Sequence, residues 1–176
     1  TMFNKALEII EASVLFDVKS DNIQVVVHPE HIIHGLVHYK DGSILANLGF
    51  PDMITPLSVA LNWPERIDLN LKKLSLNNIG NLNFFEPDFK KFPGLKLGWE
   101  VLESSDCSPV VLNASNEIAV DAFLKNKVKF TDIYHIVYGT LNICKPSNPK
   151  NIDDIIEIDN IARMNALNLI KRKFYK

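Results

Sequence analysis

The chain has 176 residues, of which 47% are hydrophobic and 23% charged, enough for a buried core in one domain or two small ones. Its formal net charge of −2 predicts no field that would hold a nucleic acid. No apolar run approaches the roughly 20 residues that span a bilayer, so no membrane partner is expected. Cys107 and Cys144 match no metal or redox spacing, which favours a reducing compartment.

The first predicted element is an amphipathic helix. Phe3, Leu7, Ile10 and Val14 recur at spacings of four, three and four, which is one buried stripe of a helix. The helix should end within residues 17–21.

A small sheet is predicted next. Residues 24–27 form a β-branched run typical of a buried strand. Residues 32–39 and 43–48 flank an Asp-Gly pair, the strongest short signal for a hairpin. Both faces of this hairpin are apolar, so it needs cover on both sides, from helices or from a second subunit.

A short helix over residues 55–62 should end at Trp63-Pro64. The Asn- and Pro-rich stretch that follows, residues 66–92, is predicted to be an extended linker with one short strand at most.

From Pro93 onward the pattern predicts a four-helix bundle. The predicted apolar stripes are Leu95, Trp99 and Leu102 in the first helix, Ile118, Ala119, Ala122 and Phe123 in the second, and Ile133, Ile136, Val137 and Leu141 in the third. Thr131-Asp132 is predicted to cap the third helix. A loop is predicted over residues 146–149 and the last helix over residues 152–174. The predicted fold class is α+β: an amphipathic helix and a hairpin-containing sheet, as at the end of an α/β catalytic domain, and then the bundle. The predicted domains are residues 1–67, a linker over 68–92, and residues 93–176.

Asn4, Lys5 and Glu8 form the first candidate site. At about 100° per residue they share one polar side of the first helix. An amide and an ammonium suit a phosphate or hydroxyl ligand, and a carboxylate suits magnesium or manganese. The alternative is a solvated helix face with a Lys5–Glu8 ion pair worth about 0.3 kcal/mol. A metal would need at least one more acidic ligand from elsewhere.

A second candidate is a group of histidines. Four of the five, His28, His31, His34 and His38, fall within eleven residues. A zinc site is not favoured, because His34 and His38 would stand about 13 Å apart along a strand. Surface or hairpin-packing roles are favoured, although one histidine could polarise a bound sugar or take a proton.

Two loops complete the candidates. Residues 49–53 read Gly-Phe-Pro-Asp-Met, a fixed turn in which Met53 offers a soft apolar surface for a flat ring; an ordinary loop is the alternative. The polar residues 113–117 are predicted to cap the second bundle helix. The sequence contains no Gly-rich phosphate loop, Rossmann fingerprint or nucleophile elbow.

Several of these strings, taken in order, resemble the 1-deoxy-D-xylulose 5-phosphate reductoisomerase family over about residues 1–140. Family members have glycine where Ala6 stands. The matching blocks are Thr1 to Ala12 (TMFNKALEIIEA), Val27-His28-Pro29, Ile33-His34, Asp41-Gly42-Ser43, Leu48 to Met53, Trp63 to Arg66, Phe92-Pro93, Leu112 to Glu117 and Phe130 to Ile133.

The resemblance implies a homodimeric enzyme that depends on NADPH and on Mg²⁺ or Mn²⁺. It would convert 1-deoxy-D-xylulose 5-phosphate to 2-C-methyl-D-erythritol 4-phosphate and bind phosphonate inhibitors of the fosmidomycin type. By the same resemblance Asn4, Lys5 and Glu8 contact the substrate and Glu8 also ligates the metal. His34 lies near the substrate and Met53 near the nicotinamide.

The resemblance also implies that the NADPH-binding domain, two further acidic ligands, the phosphate-binding serines and a lid belong to an upstream segment. The chain alone is therefore expected to be inactive. The expected compartment is a plastid of the apicoplast type or the bacterial cytoplasm. A function of another class stays open: a non-catalytic module in which the hairpin pairs subunits and the bundle serves as a docking unit.

Overall fold

The computed structural model describes residues 1–104, 107–145 and 148–173. The chain divides into two compact units, treated separately below. The helical unit comprises Thr1–Gln24 and Asp88–Lys176, and the hairpin unit comprises Val25–Pro87. The elements in chain order are α1 (Phe3–Phe16), β1 (Ile33–His38), β2 (Ile44–Leu48), α2 (Ile54–Asn62), α3 (Leu97–Ser104), α4 (Ser108–Leu124), α5 (Asp132–Ile143) and α6 (Ile152–Lys173).

These elements confirm the predicted α+β class. In the helical unit, α4 packs against both α5 and α6, and α1 packs against α3. In the described part of the chain, no helix is long and apolar enough to cross a membrane.

The predicted stripe of α1 is partly correct: Phe3 and Ile10 are buried and Leu7 packs against the core, but the buried side is shifted toward Ala6 and Ile9. Its buried residues are Phe3, Ala6, Ile9 and Ile10, whereas Val14 is 71% exposed. The stripe is rotated because α3 approaches at Ala6: a Cβ placed on Gly98 would lie 2.8 Å from the Ala6 carbonyl oxygen. The contact therefore depends on two small residues, which a search for large apolar side chains does not weigh.

The remaining helices form the core. In α3 the buried residues are Leu97, Gly98 and Val101, while the predicted Trp99 and Leu102 are only partly buried. The predicted stripe of α5 is largely correct, with Ile133, Ile136 and Val137 buried.

The prediction that residues 113–117 cap a helix is wrong. They lie in the middle of α4, which begins at Ser108 with a proline in its first turn. Ser115 is fully buried, and its hydroxyl donates to the Val111 carbonyl oxygen at 2.6 Å. Because this bond to the preceding turn satisfies the donor of the hydroxyl, the polar side chain is tolerated inside the core.

Helices α5 and α6 begin close to where they are predicted. The predicted cap at Thr131-Asp132 does not form, because Thr131 makes no side-chain capping bond. The Asp132 carboxylate instead accepts the N–H of Lys129, which precedes the helix, at 2.8 Å. Helix α6 begins at Ile152 with Asp153 and Asp154 in its first turn. Its predicted end at Phe174 and part of the predicted loop 146–149 lie outside the described residues.

One side chain ties α6 to α4. The Arg163 guanidinium donates to Asp159 one turn back at 2.6 Å and to Glu117 of α4 at 2.7 Å. These two carboxylates raise the pKa of Arg163 above its ordinary value, Asp159 contributing most. The cation is therefore fixed between two helices.

The predicted hairpin is confirmed. Strands β1 and β2 pair antiparallel, with Val37 opposite Leu45 and a register shift between Ile33 and Gly35. At the turn, the Asp41 carboxylate accepts the Ser43 N–H at 2.9 Å, and Gly42 has φ 87°, a value that glycine adopts without strain.

The strand predicted over residues 24–27 does not form. Only Val27 pairs, in an isolated bridge with Phe85, and Val26 is 47% exposed. The partner of this segment is thus a residue of the predicted linker. The contacts group the chain differently from the predicted domains 1–67, 68–92 and 93–176, a division that stays a prediction.

Candidate functional site

The first three predicted site residues form one hydrogen-bonded group on α1. The Asn4 side-chain amide donates to Glu8 Oε1 at 2.8 Å. The Lys5 ammonium forms an ion pair with the other oxygen, Oε2. The one-turn spacing that places them on one side of the helix also brings them into contact.

The group lies at the surface of the helical unit, where a ligand can reach it. The Lys5 and Glu8 side chains are 45% and 43% exposed. Each carboxylate oxygen keeps a lone pair beyond the one used by Asn4 or Lys5. Such an oxygen is the kind of ligand that magnesium and manganese accept.

One carboxylate does not complete a metal centre. Within residues 1–104, 107–145 and 148–173, no three His, Cys, Asp or Glu side chains converge so as to hold a metal ion. Glu8 fits the role of one ligand, and the others would have to be supplied from elsewhere, as the sequence predicts.

The opposite side of α1 fixes the position of the group. Phe3, Ala6 and Ile9 are at most 2% exposed. The Ala6 backbone lies so close to Gly98 that α1 cannot shift toward α3. The three polar side chains thus project from an element held by close packing, a requirement for precise ligand geometry.

His34 and Met53 belong to the hairpin unit. The His34 Nε2 lies 3.1 Å from the Gly49 carbonyl oxygen. Because that oxygen only accepts, Nε2 carries the proton and donates, which leaves Nδ1 for another partner. This bond joins β1 to the loop that carries Met53.

Met53 is 67% exposed at the start of α2. The loop before it is held by Asp52, whose carboxylate accepts the N–H groups of Ile54 and Thr55 at 2.8 and 3.0 Å. This is the usual way to satisfy free N–H groups at a helix start. Met53 therefore offers an uncovered thioether on a fixed turn.

The four histidines of the second candidate lie in the hairpin unit, and the contacts of His28 agree with the packing role favoured above. His28 Nδ1 lies 2.9 Å from the Asn83 carbonyl oxygen and 3.0 Å from a Glu30 oxygen. The ring stacks on Phe84 with 5.0 Å between centroids. His31 and His38 are exposed. The described contacts do not gather the four histidines around one point.

Sequence reasoning missed the partners of Glu30. Its carboxylate accepts the Asn83 backbone N–H at 3.2 Å and the Asn83 amide at 2.5 Å. The Asn83 side-chain bond, followed by lesser backbone contacts and the His28 charge, lowers the Glu30 pKa. The two residues are 53 positions apart, so no local pattern signals the contact.

Comparison with known proteins connects these residues to one group of proteins. Residues 48–165 match the family described as DXP reductoisomerase C-terminal domain. The chain is 48% identical over 166 residues to 1-deoxy-D-xylulose 5-phosphate reductoisomerase of Prosthecochloris aestuarii, covering 94% of this chain and 44% of that protein. It is 44% identical over 172 residues to the protein of that name from Ehrlichia ruminantium, covering 97% and 44%. The chain thus spans less than half the length of these curated relatives.

Solved structures of proteins with the same name are also similar to this chain. The Zymomonas mobilis enzyme of the same name in complex with NADPH superposes with a TM-score of 0.92 at 43% identity, covering 97% of this chain and 45% of that one. A crystal structure of DOX-P reductoisomerase in complex with NADPH, fosmidomycin and magnesium gives a TM-score of 0.90 at 42% identity, covering 97% and 44%.

Proposed function

Because this chain belongs to the 1-deoxy-D-xylulose 5-phosphate reductoisomerase family, we propose that it supplies part of the active site of such an enzyme. The reaction is the NADPH- and metal-dependent conversion of 1-deoxy-D-xylulose 5-phosphate to 2-C-methyl-D-erythritol 4-phosphate, in non-mevalonate isoprenoid biosynthesis. The observation that carries the proposal is the exposed group of Asn4, Lys5 and Glu8 on a helix whose other side is packed.

In this proposal Glu8 is the metal ligand that this chain provides. The divalent ion, Mg²⁺ or Mn²⁺, would hold the ketose oxygens and stabilise the negative charge that develops on them. The Asn4 amide keeps the Glu8 carboxylate oriented through its bond to Oε1. Orienting a ligand through such a neighbour is what other metal sites require.

Lys5 and Asn4 also bind the substrate. The Lys5 ammonium stays beside Glu8 and offers its two further N–H groups to a phosphate or hydroxyl oxygen. Phosphonate inhibitors of the fosmidomycin type would present the same anionic oxygens to this group. Support comes from the related crystal structure described above, which is a complex with NADPH, fosmidomycin and magnesium.

His34 and Met53 have the weaker roles. His34, with Nε2 donating to Gly49, has Nδ1 left to accept a proton or hydrogen bond from the substrate. Met53, exposed on its capped turn, contacts the nicotinamide of NADPH. An apolar side chain that faces the ring would exclude water from the hydride path.

Assembly and location complete the proposal. The hairpin pairs two copies into a homodimer, and the domains follow the predicted division at residues 67 and 92. Of the two predicted compartments, the plastid and the bacterial cytoplasm, the bacterial relatives favour the second. Residues 1–176 produced alone should oxidise no NADPH when supplied with substrate and Mg²⁺, and turnover by that polypeptide would count against the ligand assignment.

A non-catalytic interaction module is the second candidate. The observation that favours it is the exposed apolar surface of the hairpin unit, where Val37, Leu45 and Trp63 are 51%, 60% and 75% exposed. Both functions can coexist in one protein, so the test concerns Glu8.

The test replaces Glu8 by glutamine in the complete gene product that contains this chain. The change removes the anionic ligand and keeps the shape of the side chain. We expect turnover to fall by about 100-fold or more, because charge stabilisation of this kind contributes several kcal/mol. Glu11→Gln is the matched control: Glu11 lies one turn on and is exposed, and its change should alter turnover less than about twofold. Equal activity of the two variants, both folded by circular dichroism, would leave only the interaction module.

A further inference from the structure

A cavity lies wholly within the hairpin unit. It has a volume of about 320 Å³ and is bounded by the approach to β1 and by residues 72–79. Its apolar lining comes from Ile32, Phe50, Leu74 and Ile79, all of them partly buried. Pockets for small ligands combine such an apolar lining with a few polar groups and begin at about 300 Å³.

The polar groups of this pocket are mostly donors. Lys72 and Lys73 both line it, together with Ser75 and Asn78. The Lys72 ammonium lies 5.2 Å from the centre of the Phe50 ring. Neither lysine has a carboxylate within ion-pair distance among the residues that the structure describes. The pocket is therefore lined by two ammonium groups that form no ion pair in the described part of the chain.

The one carboxylate of the lining does not neutralise them. Glu30 already accepts two hydrogen bonds from Asn83 and lies 3.0 Å from His28 Nδ1. Because its pKa is lowered, Glu30 remains an anion and repels an anionic head group. A ligand head group is therefore directed toward Lys72 and Lys73.

We propose that this pocket binds a small organic phosphate with a short apolar chain. The head group takes hydrogen bonds from the two lysines and from Ser75 and Asn78, which match a phosphate dianion with three acceptor oxygens. The chain rests on Phe50 and its apolar neighbours. The pocket shares no residue with the Asn4, Lys5 and Glu8 group and does not depend on the function proposed for that group.

The probe is n-butyl phosphate, titrated by calorimetry into the complete gene product. Inorganic phosphate and 1-butanol are the controls, since the first carries only the head group and the second only the apolar chain. We expect this pocket to bind butyl phosphate at least tenfold more tightly than inorganic phosphate, and we expect no measurable binding of butanol. Lys72→Met with Lys73→Met should weaken it at least tenfold. Lys72→Arg with Lys73→Arg, which keeps the charge, should stay within threefold.

A further variant locates the binding. Lys90→Met with Lys91→Met is the matched control, because Lys91 also lies over a ring, 5.5 Å from the centre of Phe92, but neither lysine lines this pocket. This control should bind butyl phosphate within twofold of the wild type. Equal loss in the control pair, or unchanged binding in the Lys72–Lys73 variant, would overturn the proposal.

Discussion

Glu8 and Glu30 are bonded alike at first sight, since each accepts a hydrogen bond from an asparagine amide. Their partners differ in sequence distance. Asn4 and Lys5 lie within one helical turn of Glu8, whereas Asn83 is 53 residues from Glu30. Glu8 can therefore exchange a partner for a ligand without separating any two segments, while Glu30 holds two segments together.

This difference predicts a pH dependence at Glu30. Its pKa is lowered from the ordinary value of 4.5, chiefly by the Asn83 side-chain bond. A group with a depressed pKa in the folded state stabilises the fold above its unfolded pKa, and that contribution disappears as the pH falls through the folded pKa. Glu30→Gln should thus lower the stability of the hairpin unit at pH 7, and the difference from the wild type should shrink below about pH 4.

Amide hydrogen exchange of Val27 and Phe85, whose N–H groups bond across the same junction at 2.8 and 2.9 Å, measures this stability. Glu86→Gln is the control, because Glu86 is exposed and has no hydrogen bond in the described part of the chain. If the effect of Glu30→Gln were the same at pH 3.5 and pH 7, the Glu30–Asn83 contact would not be the cause.

At the scale of elements, close packing of α1 on α3 positions the site. A Cβ on Gly98 would meet the Ala6 backbone, at 2.8 Å from its oxygen and 3.0 Å from its Cα. Backbone cannot move aside as a side chain can. Gly98→Ala should therefore cost about 1–3 kcal/mol of unfolding free energy and, by displacing α1, reduce turnover as well.

Gly139 provides the control for this prediction. A Cβ there would lie 2.8 Å from Leu169 Cδ2, the end of a side chain that can rotate away. The gain in helix propensity, up to about 1 kcal/mol, offsets the adjustment. Gly139→Ala should stay within about 1 kcal/mol of the wild type in chemical denaturation, and a loss equal to that of Gly98→Ala would contradict the account.

The same contact explains how far the sequence predicts the fold. Helix α2 and the β1–β2 hairpin begin and end close to their predicted positions, because local signals define them: Asp41-Gly42 at the turn and Trp63-Pro64 after α2. The buried side of α1 was predicted only in part, because its Ala6 edge is set by Gly98, 92 positions away in the sequence. The bonds of Glu30 could not be predicted either, because Asn83 is 53 positions away. The Glu8 group lies within one helical turn, so spacing and resemblance were enough to predict it.

At the scale of the whole molecule, the hairpin predicts self-association. Val37 and Leu45 are paired across β1 and β2 on one face and are 51% and 60% exposed. Exposed apolar side chains that adjoin on a sheet are typical of an interface. Val37→Lys with Leu45→Lys should convert a dimer of the complete gene product into monomers in sedimentation equilibrium.

Leu124→Lys is the control for this change. Leu124 is 71% exposed at the end of α4, away from the hairpin in sequence, so a lysine there should leave the dimer intact. A dimer that persists in the double hairpin variant would show that the subunits pair through another surface.

The central claim is that Glu8 ligates a divalent ion, and manganese tests it most directly. Crystals of the complete gene product grown with Mn²⁺ and a fosmidomycin-type phosphonate should show an anomalous peak about 2.2 Å from a Glu8 carboxylate oxygen. The Lys5 ammonium should contact the phosphonate or a hydroxyl of the inhibitor. A manganese peak bound by other carboxylates, with Glu8 still paired only to Asn4 and Lys5, would contradict the account.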